Sequence, residues 1–330
     1  MSNPIIGQKL NDYIKIYTLL KEELKWKVPD QRTLMLIASM YVINKKSFVF
    51  DRFVQISDYI KDNVDIFSTL KSYQRFTTAA MLDINFDYPE KNFGKYIEMY
   101  EEFIRGGFSR GTFTYIAAFT LLKEEDTEAN RIEKIERALA VYKGMQKKHY
   151  FLTNSADYPL AVLIANQKEP IDLLIDRMEE FYDQLNENGF KKGNELQFLS
   201  HILSLADKTE VIKLVMRCLE LADQLNQAGR KTKPIHYPEI GMLALLEDGK
   251  EEIKNIETII TQLNTHRLFK WHKDMNFMMA VNLTVSSKID NPIFAETSFH
   301  SIIEAIIQAQ QAVMIAAIAS VTAASSSSGS

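Results

Sequence analysis

The polar side chains best suited to chemistry stand at the start of short apolar runs. Asn154, Asp157 and Tyr158 precede the run 160–164, and Asn194, Gln197 and His201 lead into or sit within 196–203. His236 and Glu239 flank Tyr237 and Pro238, and His272 and Asp274 precede 277–281. Two carboxylates such as Asp157 and Glu239 are groups that acid–base catalysis uses, but only at a defined separation, which sequence distance does not encode. His201, His236 and His272 could together ligate zinc; none is paired with another ligand at the i, i+4 spacing of a helix face, so no metal is expected. His201 is the most informative of the three. It follows Ser200 inside the apolar run 198–203, which encloses the imidazole and makes its pKa depend on burial and on its partner. Asn and Asp at these places also have a plainer role, as caps for the first N–H groups of a helix.

Residues so scattered act together only if the fold brings the starts of the runs side by side. A small residue recurs inside each run: Ala38, Ala79, Ala117, Ala161, Ser200, Gly241 and Ala280, at spacings of 41, 38, 44, 39, 41 and 39. Seven units of about forty residues fall in the range of two-helix repeats. Side-chain volume in mid-helix sets how closely a neighbouring backbone approaches, so a small residue there marks a helix enclosed on several sides. The second helix of each unit is therefore expected to be the inner one and the longer, more charged first helix the outer one. Helical periodicity assigns buried faces to Val49, Phe53, Ile56 and Ile60, to Ile132, Ile135, Leu139 and Tyr142, and to Val211, Leu214, Val215, Cys218 and Leu221. Gly106–Gly107, Gly189 and Gly229 stop first helices, where glycine supplies the left-handed terminal turn. Asn194 and Asp274, each six residues before its small residue, are expected as N-caps, and the Asp157 carboxylate is expected to accept early N–H groups. The loops ahead of the second helices would then share one rim, with Asn154, Asp157, Tyr158, Asn194, Gln197, His201, His236, Glu239 and Asp274 converging there.

The expected fold is thus all-α: about seven antiparallel helix pairs in a curved α-solenoid, with a closed α/α toroid as the alternative. A helical-repeat domain spans 1–300, and 301–330 form a terminal helix with an Ala/Ser-rich tail. Twelve Gly and 8 Pro in 330 residues leave little room for the frequent turns of an all-β chain. The net charge of −4, with both signs interspersed, offers no footprint for nucleic acid. Cys218 is the single cysteine and has no internal disulfide partner. Lys9, Asp12 and Lys15 interrupt any signal-peptide core. The stretch 312–324, free of charge and amide, is shorter than the roughly twenty residues of a membrane span. A cytoplasmic protein without a membrane span is expected. No nucleotide-binding loop or nucleophile signature occurs, and no cofactor is expected. Lys191, Lys192, Arg230, Lys231 and Lys233 make a modest basic rim, which with helix N-termini would suit a small anionic ligand.

The runs 113–118, 149–153 with Asp157-Tyr158-Pro159, 193–203 and 237–245 resemble, as a set, an uncharacterised family of Bacillus-type bacterial proteins, the domain of unknown function numbered four thousand and three. The resemblance covers nearly the whole chain and implies a bacterial cytoplasmic protein; it brings no activity or catalytic residues with it. The expected function is a protein- or peptide-binding scaffold. The alternative is an α/α-toroid enzyme with an acid–base pocket at the rim.

Overall fold

The computed structural model describes residues 4–66, 68–122, 127–206 and 209–289. Among these residues the chain is all-α, with fourteen α-helices and four short 3-10 turns. The expected terminal helix and tail at 301–330 lie outside the described residues. The chain divides into two compact units, described separately.

In the first, α1 (Pro4–Leu24) packs on α2 (Gln31–Ile43), α3 (Phe50–Asp62) on α4 (Arg75–Asn85), and α5 (Pro89–Arg105) on α6 (Thr112–Leu122). Pairs join through α2 against α4 and α3 against α5. Asp30 caps α2 by accepting the Arg32 N–H, and Pro89 opens α5, where a missing N–H costs nothing. Between pairs lies a polar knot that buries Tyr41 and Asp83 and leaves Arg52 half-exposed. The Asp83 carboxylate accepts the Tyr41 hydroxyl proton at 2.7 Å and the Arg52 Nε–H at 2.6 Å.

In the second unit, α7 (Glu128–Lys148) pairs with α8 (Tyr158–Ala165), α9 (Ile171–Glu187) with α10 (Asn194–Ser204), α11 (Val211–Gln227) with α12 (Tyr237–Leu245), and α13 (Ile253–Thr265) with α14 (Lys273–Ile289). First helices α7, α9 and α11 pack in succession, as do second helices α8, α10, α12 and α14. The two kinds of helix differ as their patterning requires. α9 and α11 bury one apolar stripe, whereas α10 buries every residue except Asn194 and Glu195.

The small residues lie where the helices approach most closely. Ala38, Ala79, Ala117, Ala161 and Ala280 have no exposed surface and Ser200 almost none. A Cβ on Gly241 would stand 2.6 Å from Leu199 Cδ1 and 3.3 Å from Ile202 Cγ2, so α12 presses its backbone against α10 there. Glycine also ends three first helices in the same way. Gly107, Gly189 and Gly229 have φ of 102°, 98° and 84°, and the next N–H turns back to the carbonyl five residues earlier: Phe108 to Phe103, Phe190 to Leu185, Arg230 to Leu225. This closes the helix with the left-handed turn that other residues adopt at a cost.

Arginine closes the other end of the pairs. Arg137 on α7 donates to the carbonyls of Ala165, Gln167 and Glu169, Arg177 on α9 to those of Ala206 and Thr209, and Arg217 on α11 to that of Ala244. A fixed cation there satisfies carbonyls left without helical partners and complements the helix dipole.

Two faces differ from expectation. On α7 the buried stripe is Ile135, Ala138, Val141 and Met145, while Ile132 is 45% exposed; small Ala138 admits the neighbouring helices and rotates the face away from the larger aliphatics. Val49 stands outside α3 as its N-cap and is exposed.

Candidate functional site

The second helices of the second unit begin along an edge whose loops are tied one to the next. The Gln197 amide donates to Thr153 Oγ1 at 2.7 Å, linking α10 to the loop before α8. The Lys191 N–H donates to the Tyr237 hydroxyl at 2.9 Å, linking the α9–α10 loop to α12. His236 Nε2 lies 3.1 Å and Lys233 Nζ 2.9 Å from Asp274 Oδ1, linking the loop before α12 to α14. Of the sequence-derived residues, His236 and Asp274 meet each other here, while Gln197 meets Thr153.

Asp157 and His201 form the most enclosed of these pairs. Asp157 Oδ1 stands 3.7 Å from His201 Nδ1, longer than a hydrogen bond. Both residues are buried, and among the described residues His201 Nδ1 has no hydrogen-bond partner. Burial pushes the Asp157 carboxyl up to about 6, partly offset by the Asn154 N–H that Oδ2 accepts. Burial, reinforced by His149, pulls the His201 imidazole down to about 3. Removal from water disfavours the charged form of each, so the imidazole is neutral at pH 7. His149 in turn stands 3.1 Å from Glu179 Oε2. Such a pair can exchange a proton only with a group brought into the protein interior.

The remaining expected residues have local roles. Asn154 caps the short turn Ser155–Asp157 by accepting the Ala156 N–H, and the Asp157 carboxylate reaches backward to the Asn154 N–H. This corrects the expectation that Asp157 caps α8, to which its side chain makes no capping bond. Tyr158 is buried edge-on to Tyr142, the ring centroids 4.8 Å apart. Asn194 is the first residue of α10, and Gly193, with φ of 149°, takes the cap position instead. Asp274 lies inside α14 and turns to Lys233 and His236. Burial raises its pKa, but those hydrogen bonds outweigh the effect and leave it lowered. His236 is lowered by burial, against the pull of Asp274, and its ring packs on Phe277. Glu239 is fully buried in α12. The His272 N–H donates to the Phe269 carbonyl. Among the described residues no group of three His, Cys, Asp or Glu is arranged to hold a metal ion, and Cys218 is buried with its thiol pKa raised by that burial.

The family model described as "Protein of unknown function (DUF4003)" matches residues 16–312. The chain belongs to this family. It is 42% identical over 321 residues to "Uncharacterized protein YeaA" of Bacillus subtilis (strain 168), an alignment that covers 97% of both chains. No solved structure matches. Among the described residues no helix is long and apolar enough to cross a membrane.

The loops of this edge also carry a feature that polar-residue patterns did not bring out. Tyr150, Phe151 and Trp271 are 69%, 95% and 82% exposed, on the α7–α8 and α13–α14 loops, and Ile235 is exposed ahead of α12. The missed arginines had a signal of their own: Arg137, Arg177 and Arg217 recur at intervals of forty.

Proposed function

We propose that this member of the family is a helical-repeat scaffold that binds a protein or peptide partner on the outer layer of its second unit. The reading is carried by an apolar stripe on three first helices packed in succession. Ile132 on α7, Leu173 on α9, and Ile212 and Met216 on α11 are 45%, 58%, 55% and 50% exposed. Counted back from Arg137, Arg177 and Arg217, which hold the same place in their pairs, Ile132, Leu173 and Ile212 stand five, four and five residues away. Aliphatic side chains at one level of adjacent helices form the kind of exposed patch that marks an interaction site. Met216 also borders a cleft of about 360 Å³ lined by Arg217, Glu220, Leu243 and Lys250, and methionine adapts readily to a partner's shape.

The second helices offer little surface for a binding groove, since α8, α10 and α12 are enclosed almost throughout. A catalytic role for Asp157 and His201 is disfavoured for the same reason. An open curved array is the arrangement that suits a scaffold, and small-angle scattering gives a radius of gyration that separates it from a closed ring.

The test is a comparative capture. Tagged full-length chain and its Leu173→Glu/Ile212→Glu variant are incubated with a Bacillus lysate, and retained proteins are quantified by mass spectrometry. The expected result is one protein retained near stoichiometry by the parent and lost from the variant, with circular-dichroism melting unchanged. Equal recovery on both, or none on the parent, refutes the reading.

A further inference from the structure

We infer that the loop edge of the second unit, distinct from the stripe on α7, α9 and α11, docks on an anionic membrane surface. Two independent observations converge on it, one of charge and one of exposure.

The charge is one-sided. Residues 147–156 contain Lys147 and Lys148, 188–193 contain Lys191 and Lys192, 228–237 contain Arg230, Lys231 and Lys233, and 265–273 contain Arg267, Lys270 and Lys273; none of these segments contains Asp or Glu. The whole chain has a net charge of −4, so the cations are concentrated here against the overall balance. Three of them are engaged with acids on neighbouring elements: Lys148 with Asp176, Arg230 with Glu257, and Lys233 with Asp274. Lys147, Lys191, Lys192, Lys231, Arg267, Lys270 and Lys273 are exposed. Of the acids that border these segments, Asp157 and Glu239 are buried, Asp274 is held by Lys233 and His236, and Glu187 at the end of α9 and Glu195 at the start of α10 are exposed. The N-termini of α8, α10, α12 and α14 add their positive dipole ends along the edge.

The exposure is aromatic and set on separate loops. Phe151, Tyr150 and Trp271 are the large hydrophobic side chains that folding leaves most open here, and each has lysine close by: Lys147-Lys148-His149-Tyr150-Phe151 and Lys270-Trp271-His272-Lys273. Lys270 Nζ lies 5.1 Å from the Trp271 ring centre. The Gln197–Thr153, Lys191–Tyr237 and His236–Asp274 contacts tie these loops one to the next along the edge. A protein partner needs pockets that receive such anchors at fixed spacing, whereas a headgroup layer accepts separate tips and favours Trp and Tyr beside Lys. Stable attachment to a bilayer takes two weak signals together, apolar insertion and attraction to anionic headgroups. This edge supplies both.

Trp26 and Trp271 are the two tryptophans, so a full-length Trp26→Phe chain reports from Trp271 alone. Its emission is followed on adding vesicles of phosphatidylcholine, and of phosphatidylcholine with phosphatidylglycerol, alongside flotation. The expected result is a blue shift and co-flotation with the anionic vesicles only, reversed by 0.5 M salt. Phe151→Ser/Lys270→Glu/Lys273→Glu, with unchanged melting, should lower the partition coefficient by about tenfold or more, given one inserting ring and two reversed charges. Absence of a blue shift overturns the inference. So does flotation that the triple variant leaves intact, since another segment would then carry the chain to the vesicle. A Trp271 shift with soluble polyglutamate but not with anionic vesicles would assign the edge to an acidic protein and also overturn it.

Discussion

Replacing Asp157 and His201 one at a time should tilt the pH dependence of stability in opposite directions. The His201 imidazole has a folded pKa of about 3, below its ordinary 6.5. A depressed value means that its contribution is complete above 6.5 and is lost as pH falls toward 3. Between pH 7 and pH 5 that loss amounts to about 2 kcal/mol. Asp157 has a folded pKa of about 6, above its ordinary 3.8. A raised value means the reverse: the contribution is complete below 3.8 and is lost as pH rises through 6, so going from pH 7 to pH 5 regains about 1 kcal/mol. Burial is the first cause of both shifts, and in the parent chain the two trends cancel in part, leaving a net loss of about 1 kcal/mol from pH 7 to pH 5. Asp157→Asn keeps an oxygen for the Asn154 N–H and removes only the compensating trend, so it should lose about 1 kcal/mol more than the parent between pH 7 and pH 5. His201→Asn should instead gain about 2 kcal/mol relative to the parent over the same interval. Urea denaturation followed by far-ultraviolet circular dichroism at the two pH values measures both, and other titrating groups cancel in the comparison. Parallel pH trends for parent and both variants would refute the reasoning.

Packing and the clamps make further expectations. Gly241→Leu should cost about 1–3 kcal/mol, because its Cβ alone already presses on Leu199 and Ile202; an unchanged melting temperature contradicts the close α10–α12 contact. Arg177→Met should cost about 1.5–3 kcal/mol by removing charged hydrogen bonds to the Ala206 and Thr209 carbonyls, seen as faster hydrogen exchange at the end of α10. Arg52→Met should cost about 1.5–3 kcal/mol, since Asp83 is almost wholly buried and loses its half-exposed cation while keeping the Tyr41 hydroxyl. Asp83→Asn in the same background should restore part of that loss, and a lack of rescue would show that the charge is not the cause.

The helix pairs were legible because their signals are local. Apolar spacing, glycine after a first helix and a small residue within a second helix each report on a single turn of chain, and Gly107, Gly189, Gly229 and Gly241 behave accordingly. Asp157 and His201, expected at the starts of successive second helices, stand 3.7 Å apart. What each side chain does there was not legible. A capping residue and a bridging residue look alike in sequence: Asp274 faces Lys233 and His236 rather than its own helix, and Gly193 displaces Asn194 as the cap. On α7 the depth of a contact depends on what approaches, and small Ala138 is buried where Ile132 is exposed and Leu139 half-buried. Tyr41, Arg52 and Asp83 come from three separate helices, so their meeting had no local trace at all.

The arginine clamps bear on how the chain acquires its structure. Their hydrogen bonds span 27 to 32 residues, and the contacts along the loop edge span 38 to 46. A helix pair can therefore lock itself shut before its successor exists, and the successor then needs only the pair just finished. Short closures of this kind favour rapid folding. On the ribosome they let the second unit grow by accretion, with each newly emerged pair adding to an already closed one and little apolar surface waiting for a distant stretch of chain.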